Sequence, residues 1–131
     1  MNTEKTGETS SEMNLEEICF RIIACSGEAL SLLMEALKKC RSHDYTGAEK
    51  SIDKASELLN QAHHAHTRLL TKEAGGEKIG YSILLAHAQD NMMNTLLAKT
   101  FTVEMMEMYK ALKGCNGQDT DQHKSDLLKE E

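Results

Sequence analysis

The chain of 131 residues lacks proline and tryptophan and is rich in Ala, Leu, Met, Glu and Lys, which predicts a single helical domain. Its net charge of −6, with no basic stripe carrying interleaved aromatic residues, argues against nucleic acid as a partner. No apolar run approaches the roughly 20 residues of a membrane span, and the N-terminus lacks the apolar core of a signal peptide, so we expect a cytoplasmic protein without direct membrane insertion.

Residues 1–13 are polar, and we expect them to form a disordered N-terminal segment. The predicted domain, residues 14–113, begins where Asn14 and Glu17 match a capping box, the paired side-chain signal of a helix start. The first helix then runs to Arg41, because apolar residues recur at helical spacing. They are Leu15, Ile18, Ile22, Cys25, Ala29, Leu33, Ala36 and Cys40. The cysteines in this stripe are interpreted as small buried hydrophobic residues of a reducing compartment.

The second helix follows a tight corner that ends at Asp44, its expected N-cap. Its inward positions are Ala48, Ile52, Ala55, Leu59, Ala62, His66 and Leu69. The glycine-containing segment 74–80 ends this helix, and the third helix is expected from about Ser82 to Leu112. Short connections between long helices predict antiparallel neighbours, and therefore an all-α, antiparallel three-helix bundle. Residues 114–131 are predicted to be a disordered polar tail.

The third helix carries two apolar stripes, although a helix in a three-helix bundle needs only one. The inner stripe consists of Leu85, Ala88, Met92, Leu96, Val103 and Met106. The other set has the alternating spacing of a coiled-coil seam, and we call it the seam. It consists of Ile83, His87, Asp90, Asn94, Leu97, Phe101, Glu104 and Met108. One stripe can pack within the subunit while the seam meets another copy, which predicts a homo-oligomer with coiled-coil-like packing.

Polar residues in such a seam cost free energy unless they are satisfied. In a cyclic oligomer Asp90 of each copy would approach the same residue of its mates. The converging carboxylates would need a cation, shared protons or water. The alternative is that Asp90 caps a helix or forms a hydrogen bond within one chain.

His87 differs from the other histidines because it lies near the start of a helix with Asn91 one turn further on. The helix dipole and the free amides at such a position favour a bound anion, so a neutral imidazole there could attack phosphorus. A histidine satisfied within an interface is the alternative. His63, His64 and His66 crowd one helical turn and suggest zinc, but the cysteines offer no matching pair of ligands.

The segment from Ser82 to Asp90 reads Ser-Ile-Leu-Leu-Ala-His-Ala-Gln-Asp. It closely resembles the signature of the lactose/cellobiose class of enzyme IIA proteins of the bacterial sugar phosphotransferase system. The similarity covers residues 15–113 in order. It includes Ser26–Ala29, Met34–Leu37, Asp44, Ala48–Glu49, Ala62–His63, Thr67, Lys72–Gly75 and Glu107–Lys110.

The resemblance implies a homotrimer of three-helix subunits in which His87 accepts a phosphoryl group from the small carrier protein HPr. His87 would pass the group to a cysteine of a IIB component during uptake of a β-linked disaccharide of the cellobiose, lactose or chitobiose class. Asp90 matches an aspartate that meets its symmetry mates around a divalent metal, usually Mg²⁺, on the trimer axis. Gln89 matches a neighbour of the active site. Such a phosphotransferase component acts through a phosphohistidine without ATP, and Gly75-Gly76 lacks the Lys-Ser/Thr that completes a P-loop.

The chain departs from the family pattern at three positions. Asn91 stands where a second histidine commonly follows the aspartate, so any role of that imidazole in orienting phosphate falls to the Asn91 amide or is lost. His66 takes the place of a common glutamine, and Leu30 takes the place of a common arginine or similar residue.

Two other functions stay open on these residues. One is a trimeric helical adaptor or regulatory protein whose His87 is not phosphorylated, which the Asn91 departure favours. The other is a metal-storage or metal-sensing bundle built on His63, His64, His66 and Asp90. The sequence does not specify the sugar, because substrate choice in this system resides largely in the membrane component IIC.

Overall fold

A computed structural model describes the backbone of residues 14–127 and the side chains of residues 14–114. The predicted disordered segment 1–13 lies outside the described residues. The helices are α1 (Leu15–Arg41), α2 (Tyr45–Ala74) and α3 (Ile83–Leu127), and the described part of the chain contains no strand. The all-α, three-helix architecture is confirmed. Within that part, no helix combines the length and the apolar character needed to cross a membrane.

Two buried clusters show how the helices run relative to one another. The first joins the start of α1, the end of α2 and the start of α3, through Ile18, Cys19, Ile22, Cys25, Ala62, Ala65, Leu69, Ala88 and Met92. The second joins the end of α1, the start of α2 and a later part of α3, through Ala29, Leu33, Ala36, Cys40, Ala48, Ile52, Ala55, Leu59 and Met106. α2 is therefore antiparallel to α1 and α3, as predicted. The apolar positions predicted for α1 are buried from Ile18 onward, with the cysteines among them.

Side chains cap the N-termini of α1 and α2, as the sequence predicts. Asn14 Oδ1 accepts the backbone N–H of Glu17 at 2.9 Å, and Glu17 Oε2 accepts the backbone N–H of Asn14 at 3.2 Å, which confirms the capping box. The Asp44 carboxylate accepts the N–H of Gly47 at 3.0 Å. His43 occupies the left-handed region with φ of 62°, and this conformation makes the corner between α1 and α2 tight.

The end of α3 differs from the sequence-based prediction. We expected the helix to end near Leu112 and a disordered tail to begin at residue 114, but α3 continues to Leu127. Glycine within a helix costs about 1 kcal/mol relative to alanine and does not by itself terminate one. Proline would do so, and the chain has none. Residues 128–131 of the expected tail lie outside the described residues.

Candidate functional site

The two stripes of α3 have opposite environments in the subunit. In the inner stripe, Ala88, Met92 and Met106 are buried and the other members are partly buried. Every residue of the seam is exposed. Its apolar members are strongly so: Ile83 is 83% exposed, Leu97 54%, Phe101 55% and Met108 63%. The predicted division is therefore confirmed for the subunit, which packs one stripe and leaves the seam uncovered.

The start of α3 fixes where His87 lies. Ser82 Oγ accepts the N–H of Leu85 at 3.0 Å, and the Ser82 carbonyl oxygen accepts the N–H of Ala86 at 3.1 Å. Ser82 therefore caps α3, and His87 falls in the second turn. The first turn contains no acidic residue, so no carboxylate there opposes the binding of an anion at the positive end of the helix dipole.

The His87 ring is exposed and is held by Asn91, the residue one turn further along α3. Asn91 Nδ2 lies 3.2 Å from His87 Nε2. An amide N–H can donate only to an unprotonated ring nitrogen, so this contact places the lone pair on Nε2 and the ring proton on Nδ1. The arrangement combines an accessible imidazole with a lone pair whose direction is fixed, which are the two properties of a nucleophilic histidine.

Thr95, which the sequence did not single out, anchors the Asn91 turn to α1. Its hydroxyl donates to the Asn91 carbonyl oxygen at 2.8 Å and lies 3.4 Å from the Ser26 carbonyl oxygen. Both Thr95 and Ser26 are buried. A threonine among the inward positions of α3 was the available signal, because a buried hydroxyl needs a partner.

Gln89 points to α2 and not to His87. Its Nε2 lies 3.1 Å from His66 Nε2, and both side chains are half-buried. The amide donates to the unprotonated ring nitrogen, so the contact requires neutral His66. Burial lowers the pKa of His66 because it disfavours the charged ring, and the nearby His63 lowers it further. The structure therefore gives Gln89 an interhelical contact, distinct from the expected position beside the reacting ring.

From the contact between Gln89 and His66 we predict that acid destabilises the fold, because protonation of His66 breaks that contact. The pKa of His66 is lowered in the folded state, whereas an unfolded histidine titrates near about 6.5. Between these two values the unfolded chain binds more protons, so stability falls as pH drops through that window. We expect the midpoint of thermal unfolding to fall less over this range in His66→Gln than in the wild type, because the variant has no group to protonate.

A matched control is His64→Gln, which removes an exposed histidine from the same helix. It should follow the wild-type pH dependence. Parallel pH profiles for wild type and His66→Gln would contradict the assignment of this acid sensitivity to His66.

Asp90 is exposed on the seam three residues after His87. Among the residues that the structure describes, its carboxylate has no hydrogen-bond or ion-pair partner, so the alternative of a hydrogen bond or cap within one chain is not supported there. The same residues contain no group of three or more His, Cys, Asp or Glu side chains able to hold a metal. His63 and His64 are exposed, and His66 is turned to Gln89. Within the described residues, Asp90 therefore offers a cation one carboxylate and belongs to no group of three side-chain ligands of these types.

Comparison with protein families gives one match that covers most of the chain. The profile described as "PTS system, Lactose/Cellobiose specific IIA subunit" matches residues 17–110. This span contains α2 in full, α1 from Glu17 and α3 as far as Lys110, and with them every residue of the candidate site.

Three relatives illustrate the similarity. The lactose-specific EIIA component of the phosphotransferase system of Staphylococcus epidermidis is 42% identical over 101 residues, which cover 75% of this chain and 97% of the relative. The crystal structure of the cellobiose-specific enzyme IIA of Bacillus anthracis aligns with a TM-score of 0.73 at 40% identity, covering 79% of this chain and 95% of the other. A solution structure of the IIA(chitobiose)–HPr complex from the N,N′-diacetylchitobiose branch of the Escherichia coli system aligns with a TM-score of 0.69 at 35% identity, covering 78% and 99%.

Proposed function

We propose that this chain, which belongs to the lactose/cellobiose-specific IIA family of the phosphotransferase system, carries a phosphoryl group on Nε2 of His87. The observation that supports the proposal most directly is the contact between Asn91 Nδ2 and His87 Nε2 at 3.2 Å on an exposed part of α3. In this contact Nε2 is the hydrogen-bond acceptor, and a ring nitrogen with an available lone pair is what a phosphoryl acceptor needs.

In the first half of the reaction, the lone pair of His87 Nε2 forms a bond to phosphorus. The bond between phosphorus and the donor breaks at the same time, and its electron pair leaves with the donor. Phosphoryl transfer of this kind needs an in-line nucleophile and charge stabilisation. Asn91 gives up its contact with Nε2 as the new bond forms, and its amide N–H groups can then donate to a phosphoryl oxygen. The Asn91 amide would thereby take over the orienting role of the second histidine common in the family.

In the second half, the N–P bond breaks and a thiolate of the acceptor forms a P–S bond. The electron pair of the broken bond returns to Nε2, and the ring regains the state that accepts from Asn91. A phosphoramidate is a high-energy linkage, so the group can be passed on with little loss of free energy.

We assign HPr as the donor and the cysteine of a IIB component as the acceptor. HPr is the partner named for the chitobiose-specific IIA protein of Escherichia coli, whose structure is similar to this chain. Two different proteins must reach one histidine, which requires an exposed site. His87 is exposed, and so is Met93 further along α3, with 58% of its surface accessible; flexible methionines suit a surface that meets more than one partner. The relatives named for lactose, cellobiose and chitobiose support a β-linked disaccharide as the sugar.

We further propose that three copies assemble through the seam, with one Asp90 from each copy on the symmetry axis and His87 at the rim of the interface, where partner proteins still reach it. An unpartnered, exposed carboxylate among exposed apolar side chains fits this position, because the assembly would bury the apolar groups and bring the carboxylates together. Carboxylate oxygens are the ligands that Mg²⁺ prefers. A divalent cation held there would compensate the negative charge.

Phosphate incorporation tests the carrier function against the adaptor alternative. The full chain is incubated with phosphoenolpyruvate, enzyme I and HPr, and intact mass is measured under neutral or alkaline conditions. We expect each chain to gain one phosphate, to lose it on acid treatment as a phosphohistidine does, and to gain none when HPr is omitted. A chain that stays unmodified while HPr itself is phosphorylated would contradict the carrier function.

A further inference from the structure

A groove between α1 and α2 forms a second candidate site that the phosphoryl-carrier function does not use. Its cavity of about 260 Å³ is lined by Ile18, Arg21, Gln61, His64, Ala65 and Arg68. Two of these residues carry guanidinium groups and none is acidic. We propose that this groove binds a small organic phosphate, at a site separate from His87.

The groove and the phosphorylation site lie on different sides of the subunit. All residues lining the groove come from α1 and α2, whereas His87 lies on α3. His66 is turned to α3, where it contacts Gln89. His64 lies two residues earlier on α2, a rotation of about 200° around the helix axis, and therefore faces away from α3. A ligand in the groove would leave both His87 and the seam free.

The polar side chains of the groove match a phosphate group. Arg21 already has an interaction partner. Among the residues that the structure describes, Arg68 and His64 have no hydrogen-bond or ion-pair partner, so the donors of these two side chains are not already committed. A guanidinium donates two parallel N–H groups to phosphate oxygens, a geometry that lysine does not reproduce. The carbonyl oxygen of Gln61 faces Cys25 Sγ at 3.9 Å, a contact that does not use the amide N–H groups of the same side chain.

The rest of the lining matches the organic part of the ligand. Ile18 is 2% exposed and Ala65 is 8% exposed, so they form an apolar floor beneath the charged groups. The volume lies just below the roughly 300–1,000 Å³ of sites for drug-sized ligands, which favours a small molecule. An adjoining groove of about 390 Å³ shares His64 and Arg68, and its lining adds Thr67, Thr71 and Lys72. The linings of the two adjoining grooves therefore contain several basic side chains and no acidic one.

Binding can be measured on the full-length ¹⁵N-labelled protein by NMR titration with glucose 6-phosphate as the probe. We expect chemical-shift changes at groove residues of α1 and α2. Arg68→Gln should weaken binding by about tenfold or more, since charge-assisted hydrogen bonds are lost. Arg68→Lys should weaken it less, because it keeps the charge and loses the paired N–H groups. His87→Ala should bind as the wild type does.

The matched control is Arg41→Gln, which makes the same change in charge at a different groove, lined by Met34, Leu37, Lys38, Arg41, Met105 and Tyr109. It should leave binding unchanged. Equal weakening by Arg41→Gln and Arg68→Gln would overturn the proposal in favour of nonspecific charge attraction. Binding as tight for inorganic phosphate or for glucose as for the probe would overturn the assignment to an organic phosphate. The absence of shifts at millimolar probe, or shifts centred on α3, would overturn the site itself.

Discussion

Replacing His87 with alanine is expected to abolish phosphate incorporation from phospho-HPr completely. His87 is the one histidine that combines exposure, a position in the second turn of α3 and an amide neighbour at Nε2, among the residues whose side chains the structure describes. Its ring is exposed and packs into neither buried cluster, so the variant should keep the helical content and the thermal stability of the wild type within about 0.5 kcal/mol. Intact mass after incubation with phosphoenolpyruvate, enzyme I and HPr measures the loss.

The other histidines of the bundle supply the controls. His64→Ala removes an exposed imidazole, and His66→Ala removes the partner of Gln89. We expect both variants to gain phosphate, although His66→Ala can change the rate because Gln89 loses its contact. If His87→Ala is still labelled, and labelling disappears only when His63 or His66 is replaced, the assignment of the phosphorylation site is wrong.

Short-range features of this molecule were predictable from the sequence because they depend on neighbours within one helical turn. The capping box at Asn14 uses residues three apart, and Asn91 reaches His87 from one turn away. The two stripes of α3 were also predictable, since helical periodicity alone determines which residues share a face. That the seam stays uncovered within the subunit was predictable too, because a helix in a three-helix bundle needs only one apolar stripe.

The features that sequence missed depend on contacts between helices. Gln89 and His66 are 23 residues apart, and only the packing of α2 against α3 brings them together. Thr95 reaches Ser26 across 69 residues of sequence. The end of α3 was misplaced for a different reason: the glycines after Leu112 lower helix propensity without forbidding helix, and composition alone does not decide between these outcomes.

The second large effect is expected when Asp90 is replaced with leucine. In the proposed trimer, carboxylates near one axis repel each other unless a cation or shared protons compensate the charge. A divalent cation that binds only the assembled form stabilises it by mass action, so chelation should lower the melting temperature of the wild type. Asp90→Leu replaces the carboxylates that repel each other with apolar side chains, which can pack against one another at the axis. Its trimer should be independent of metal and at least as stable, as happens when buried charges become hydrophobic.

Sedimentation velocity of the wild type and Asp90→Leu, with Mg²⁺ and with chelator, measures assembly directly. Asp53→Leu is the matched control, since it makes the same substitution at an exposed position of α2 that lies outside the seam. This control should respond to chelator as the wild type does, because it leaves the axial carboxylates in place. A wild-type chain that sediments as a monomer at tens of micromolar with Mg²⁺ present would show that the seam does not join copies. The exposed apolar side chains from Ile83 to Met108 would then need a different partner, and Asp90 would be an ordinary surface carboxylate.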